Sequence, residues 1–155
     1  MRNGVRVGVD VGKVRIGVSR SDLHGMLATP VETVARSEDS SDRRRITEIV
    51  GELGAFEVIV GLPLALSGAR TASTADAVGF AEALAAEVGI PVRLVDERLS
   101  TVSATQALRA SGRNTKKARP VVDQVAATII LQHALDAERA TGRPPGDTVE
   151  TSIGQ

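Results

Sequence analysis

"VRVGVDVGKVRIGVSRS", residues 5–21, decides the fold. Its two halves, VRVGVD (5–10) and VRIGVSRS (14–21), alternate and are rich in Val and Ile, so both read as strands. Only VGK lies between them. So short a link cannot hold a crossover helix, and the pair must be an antiparallel hairpin. A dinucleotide-binding turn is excluded, because it needs a helix after the first strand and another glycine spacing from Gly8. Asp10 ends the first strand, and Gly12, Lys13 and Arg15 follow it. An aspartate at such a corner is commonly a turn residue. Whether Asp10 is more than that depends on what the rest of the chain brings beside it.

Outward from the hairpin, LATPVETVAR (27–36) is a third strand in which Pro30 marks an edge or a bulge. Residues 37–54 predict a helix, with Ile46, Ile49, Val50 and Leu53 at helical spacing and a glycine stop. EVIVGLPL (57–64) is a continuous apolar run of the buried-strand type. A helix over 70–89, a strand over 90–97 and a helix over 100–112 with Ser100 as N-cap follow. RNTKKAR (113–119) is a loop, and 120–142 is a long last helix between Pro120 and Gly142. The order predicts an α/β fold: a five-stranded mixed sheet, with an antiparallel three-strand meander plus two parallel strands, flanked by helices. Residues 1–142 form the expected domain, and 143–155 the expected flexible tail.

Composition narrows the chemistry. A chain of 155 residues suits one domain with a core of its own. There is no cysteine, and His24 and His133 are the only histidines, which excludes thiolate and histidine-rich metal sites. No long apolar run or leader pattern appears, so the expectation is a soluble, cytoplasmic protein without membrane contact. The formal net charge is +0, yet Arg2, Arg6, Lys13, Arg15 and Arg20 cluster early, and Arg109, Arg113, Lys116, Lys117 and Arg119 cluster late. Local basic patches can hold phosphates on a neutral protein; solvated surface charge is the plainer reading.

Two further acidic positions join Asp10. VDERLST (95–101) puts Asp96 and Glu97 at a strand end, where open α/β sheets place ligands. Alternation sends the two carboxylates to opposite faces, so only one can share a site with Asp10. Asp123 lies in the first turn of the last helix, and the small residues Ala126 and Ala127 would let that helix end approach the sheet. Helix-dipole and turn preferences explain each acid singly. Together, three carboxylates without His or Cys suit a hard cation such as Mg²⁺ (or Mn²⁺) and phosphodiester chemistry.

In this order and spacing, VDVGKVRIGVSRSD, VIVGLPLALSG, VDERLST and VVDQVAATIILQ resemble the YqgF (RuvX-type) family of the RNase H-like superfamily, over residues 5 to about 136. The resemblance implies an RNase H-like fold and a metal-dependent nuclease with Asp10, Glu97 and Asp123 as catalytic and metal-ligating acids. It implies processing of the 5′ end of the small-subunit (16S) ribosomal RNA precursor. Resolution of Holliday junctions in branched DNA is the alternative, and an inactive nucleic-acid-binding assembly factor a second one. Lys13, Arg15, Arg98, Arg113, Lys116, Lys117 and Arg119 become candidate phosphate contacts, which position a nucleic acid without reading its sequence. Arg98 reads equally well as an ion-pair partner of Asp96. With Phe56 and Phe80 as the only aromatics, backbone and shape recognition of structured RNA or branched DNA is favoured over a stacking groove. A resolvase would act as a homodimer, whereas an RNA processor could act as a monomer. Sugar kinases and actin-like ATPases open with a similar hairpin, but their duplicated fold needs a far longer chain.

One geometric tension remains. In many RNase H-like nucleases the second acid ends the fourth strand, beside the first. Here that place is VGLPL, with Gly61 and no acid. An acid on the next strand stands about 10 Å from the first, and a glycine between them would leave room for substrate or metal.

Overall fold

The hairpin forms as its alternation dictates: β1 (Arg6–Val11) pairs antiparallel with β2 (Arg15–Ser21), setting Asp10 opposite Gly17. The turn is tight, with the Gly12 amide donating to the Arg15 carbonyl at 2.9 Å. Glycine is required at position 12 for space, because a Cβ there would press on that carbonyl oxygen. The computed structural model describes residues 1–97 and 119–149, with side chains from 123 onward in the second stretch.

β3 (Ala28–Ala35) adds to β2 as the edge strand, and the register slips between Val18 and Ser19, opposite Pro30. Pro30 therefore marks both an edge and a bulge, as its missing N–H demands. α1 (Ser41–Leu53), β4 (Glu57–Leu62), α2 (Ala72–Val88) and β5 (Val92–Asp96) follow. β4 pairs parallel with β1 and β5 parallel with β4. α3 (Arg119–Thr141) closes the helical set. The expected helix over 100–112 and loop over 113–119 lie outside the described residues, save that Arg119 opens α3.

Two findings depart from the expectation. The sheet has six strands, in the order β3-β2-β1-β4-β5-β6, rather than five. The sixth, β6 (Asp147–Thr148), comes from the segment expected to be a flexible tail, and it pairs antiparallel with Arg93 and Leu94 of β5. The Val149 amide extends the contact to the Val92 carbonyl at 2.8 Å. Two paired residues carry no periodicity, so no local pattern announces them.

Each face of the sheet is buried differently. Val7, Val9, Ile16, Val18, Val58 and Val60 point toward α1 and α2, where Ile46, Ile49, Phe80 and Leu84 complete the main core. On the other face Ile59 and Val95 meet Ile130, Leu131, Ala134 and Leu135 of α3. Small residues let α3 lie close. Ala127 is fully buried, and its carbonyl accepts the Ser19 hydroxyl at 2.8 Å. A Cβ at Gly8 would collide with the Ser19 hydroxyl and lie 2.8 Å from Leu131 Cβ.

At the amino ends of β1 and β4, a buried ionic cluster ties the first and last elements. Arg2 spans Glu57 (2.9 Å) and Glu138 (2.7 Å), Arg6 reaches Glu138 (3.1 Å), and Arg93 reaches Glu57 (2.8 Å). Arg2 and Arg6 both stand over the Phe56 ring, at 4.9 and 4.8 Å. Arg6 is therefore turned inward as a structural ion, and the partly exposed Arg2 is committed to the same cluster.

Candidate active site

Asp10, Gly17, Gly61 and Glu97 stand on the face that α3 covers. The parallel register pairs Val9 with Val60 and Gly61 with Val95, so the next step along β1 sets Asp10 beside Gly61. Glu97 follows β5 directly, and its amide donates to the Leu62 carbonyl at 3.3 Å. By alternation it shares a face with Val95, while Asp96 does not. Asp96 is exposed, at the edge of a cavity of about 250 Å³ that His133 and Ala137 also line. The choice between the adjacent acids is thereby decided in geometry: Glu97 turns toward Asp10.

The strand between them explains how Glu97 gets there. A Cβ at Gly61 would overlap Glu97 Oε2 and lie 2.7 Å from Ile130 Cδ1. The room left by the glycine is filled by the Glu97 carboxyl itself. The acid crosses an interior strand that carries no side chain at that point, and the expected 10 Å separation closes.

The Glu97 residue is only 8% exposed, and Oε2 is buried without a hydrogen-bond partner when the group is ionised. Burial, then the Asp10 charge and the hydrogen bond to Asp10, push Glu97 up to about 8. Burial also raises Asp10, to about 6, with the hydrogen bond from Glu97 opposing and the Asp123 charge adding. The signs are those of a carboxyl on Glu97 donating to a carboxylate on Asp10. Such a pair shares a proton because two adjacent charges in a dry site repel.

Asp123 arrives from α3 through Gly17, the partner of Asp10 across the hairpin. A Cβ at Gly17 would overlap the Asp123 carbonyl, so the glycine brings the first turns of α3 onto the sheet beside Asp10. The Asp123 carboxylate is not pooled with the other two. Arg15 Nε donates to its Oδ2 at 2.9 Å. Among the described residues, no three acidic or histidine side chains form a ready ligand cage. Asp10 and Glu97 form a tight pair, and Asp123 stands next to them under an arginine.

Of the expected phosphate contacts, Lys13 is exposed at the hairpin turn and lies near enough to Asp76 to lower its carboxyl, behind the larger effect of Arg36. Arg15 is partly exposed and committed to Asp123. Arg98, Arg113, Lys116 and Lys117 lie outside the described residues, as does the Arg119 side chain. One residue that sequence reading missed is Arg36. Its guanidinium donates to the Gly12 carbonyl and to Asp76, both at 2.9 Å, bracing the turn that follows Asp10. No local signal marks it, since its partners are 24 and 40 residues away.

The family model described as RuvX, Holliday junction resolvase, matches residues 4–137. A protein of Leifsonia xyli subsp. xyli, provisionally named a pre-16S rRNA nuclease, is 77% identical over 154 residues, covering 99% of both chains. A Streptomyces coelicolor protein of the same name is 51% identical, covering 99% of this chain and 92% of the other. Among solved structures, Thermus thermophilus RuvC in complex with a Holliday junction substrate superposes with a TM-score of 0.57 at 24% identity. It covers 88% of this chain and 97% of the other, and it shows the shared RNase H-like fold.

Proposed function

The chain belongs to the RuvX family, and from that premise we propose that it is a metal-dependent phosphodiester hydrolase that processes the 5′ end of the 16S rRNA precursor. The observation that carries the reading is the Asp10–Glu97 pair above Gly61. Two buried carboxyls pressed together, each raised by burial, form a site short of positive charge.

The donors fit a hard dication, since carboxylate oxygens are what Mg²⁺ and Mn²⁺ select. Asp10 and Glu97 would hold it, with Asp123 as the third ligand. When bound, Mg²⁺ or a pair of such ions supplies an activated water and neutralises charge on the scissile phosphate. The chain's own residues do the rest. Asp10 and Glu97 surrender their shared proton to present two negative oxygens. Arg15 holds Asp123 clear of the pair and is placed to take a phosphate. Lys13, Arg98, Arg113, Lys116, Lys117 and Arg119 supply the remaining phosphate contacts. Among the described residues no helix is long and apolar enough to cross a membrane, and a cytoplasmic ribosomal RNA substrate is consistent with that.

The test is a side-by-side cleavage assay with Mg²⁺ and Mn²⁺, on a 16S precursor 5′ leader and on a four-way DNA junction, for wild type and Asp10→Asn. The expected result is cleavage of the RNA by wild type alone. Preferential cutting of the junction would instead favour the resolvase reading, which the family description suggests. Growth of a deletion strain on Asp10→Asn would show that catalysis is not the essential task.

A further inference from the structure

The rim above the carboxylates carries two exposed apolar tips. β1 and β4 run parallel, so the turn after β1 (12–14) and the turn after β4 (63–71) stand at the same end of the sheet. Val14 is 66% exposed on the first, and Leu66 is 81% exposed on the second. Neither is a loose loop. Leu64 and Arg70 form an antiparallel bridge, the Ala65 amide donates to Ala69 (2.9 Å), and the Gly68 amide donates to Ala65 (2.7 Å). The Thr74 hydroxyl donates to the Pro63 carbonyl, and Thr71 and Thr74 form a capping box that starts α2 where this turn ends.

The first turn is tied to α2, the helix that starts where the second turn ends. The Arg36 amide donates to the Val14 carbonyl at 2.9 Å. Its guanidinium joins Gly12 to Asp76, in the second turn of α2. Val14 and Leu66 thus stand at the end of the sheet that carries the acids, and each turn also bears an exposed cation, Lys13 on the first and Arg70 on the second. Meanwhile both phenylalanines are engaged elsewhere. Phe56 lies under Arg2 and Arg6, and Phe80 is 6% exposed with Arg36 over its ring. No aromatic platform is left for a base, and aliphatic side chains are the apolar surface at this rim. Leucine is among the side chains that nucleic-acid-binding proteins insert between bases as wedges.

We propose that Leu66, supported by Val14, is an aliphatic wedge that packs against an unstacked nucleobase next to the scissile phosphate, with Lys13 and Arg70 on the adjoining backbone. The proposal rests on the nuclease reading above and names its substrate class. The preferred substrate has a break in stacking, at a single-strand to double-strand boundary or a branch, rather than a continuous duplex. A buried leucine contact of this size corresponds to about tenfold in binding or more.

The test uses the full chain with three probes: an RNA stem with an unpaired 5′ leader, the same strand fully paired, and a four-way DNA junction. Wild type, Leu66→Ala and Leu66→Met are compared by kcat/KM with Mg²⁺. 2-Aminopurine beside the cleavage site reports unstacking. Wild type should prefer the substrate with unpaired bases and brighten the probe. Leu66→Ala should lose about tenfold of that preference and the fluorescence rise, with an unchanged melting temperature. Leu66→Met should keep both. If wild type cleaves but Leu66→Ala retains preference and signal, the wedge is refuted while the nuclease reading stands. If wild type cuts none of the probes, the nuclease reading itself fails. A Leu66→Ala protein that is intact in vitro yet fails to support growth overturns the wedge in favour of a protein-docking tip.

Discussion

Glu97 fills the volume that a side chain at position 61 would need. A glycine in the middle of an apolar strand ordinarily weakens it. Here its absence of a Cβ is what allows an acid from β5 to reach an acid on β1 across β4.

Gly61→Ala should therefore separate activity from folding. The added methyl meets Glu97 Oε2 and Ile130 Cδ1, and the carboxyl is the one that can move. Overpacking of this kind costs roughly 1–3 kcal/mol, while displacement of a reactive group by about 1 Å costs roughly a hundredfold in rate. Thermal melts and single-turnover cleavage on the same preparation measure the two losses.

Glu97→Gln should stabilise the metal-free protein at alkaline pH. The folded-state carboxyl is raised to about 8 by burial and by Asp10. A raised acid stays protonated in the fold while it ionises in the unfolded chain. Wild-type stability therefore falls as pH climbs from the ordinary glutamate value, about 4.3, toward 8. The glutamine lacks that penalty. The unfolding free energies of the two proteins should coincide near pH 4 and diverge in favour of the variant at pH 8, by roughly 1–3 kcal/mol. Adding Mg²⁺ should raise wild type and leave the variant nearly unmoved. Equal melting curves across the range would refute the shared-proton account.

Removing Arg15 should matter to substrate more than to the fold. Its pair with Asp123 is partly exposed, and such pairs contribute about 1 kcal/mol or less. Arg15→Ala should melt close to wild type, raise KM for RNA, and lower the salt slope of binding by about one. An unchanged slope would mean that Arg15 only restrains Asp123.

Glu138 makes an opposite acid-side prediction. Burial acts to raise it, but hydrogen bonds from the Arg2 side chain and amide outweigh that and hold it at about 2. A depressed acid contributes stability above its unfolded value and loses it as pH falls through the folded one. Wild type should lose stability between about pH 4.5 and pH 2. Glu138→Ala strands the Arg6 guanidinium, itself 1% exposed, and should cost about 3–5 kcal/mol at neutral pH. Urea titrations at pH 7 and pH 3 check both statements.

What was legible in the sequence follows from range. The hairpin, the order of strands and helices, and the close approach of α3 through Ala126 and Ala127 all rest on neighbours within a few positions. So did the split between Asp96 and Glu97, though not which one turns toward Asp10; that needed the face on which α3 packs. Long-range ion pairs left no local trace. Arg2 and Arg6 look like surface charge until Glu57 and Glu138 are placed beside them, 55 and 132 residues away. The pairing of Arg15 with Asp123 was equally hidden, because its partner lies 108 residues on.

The two-residue β6 has an effect out of proportion to its length. By lying along β5 it makes the strand that leads into Glu97 an interior one. The opposite border, β3, is interrupted by Pro30 and a register slip, features that discourage a foreign strand from docking. A chain cut after 142 would bare the Val92–Leu94 stretch of β5. An uncovered strand edge is a template for a second chain, so the shortened protein should self-associate more readily than the longer one.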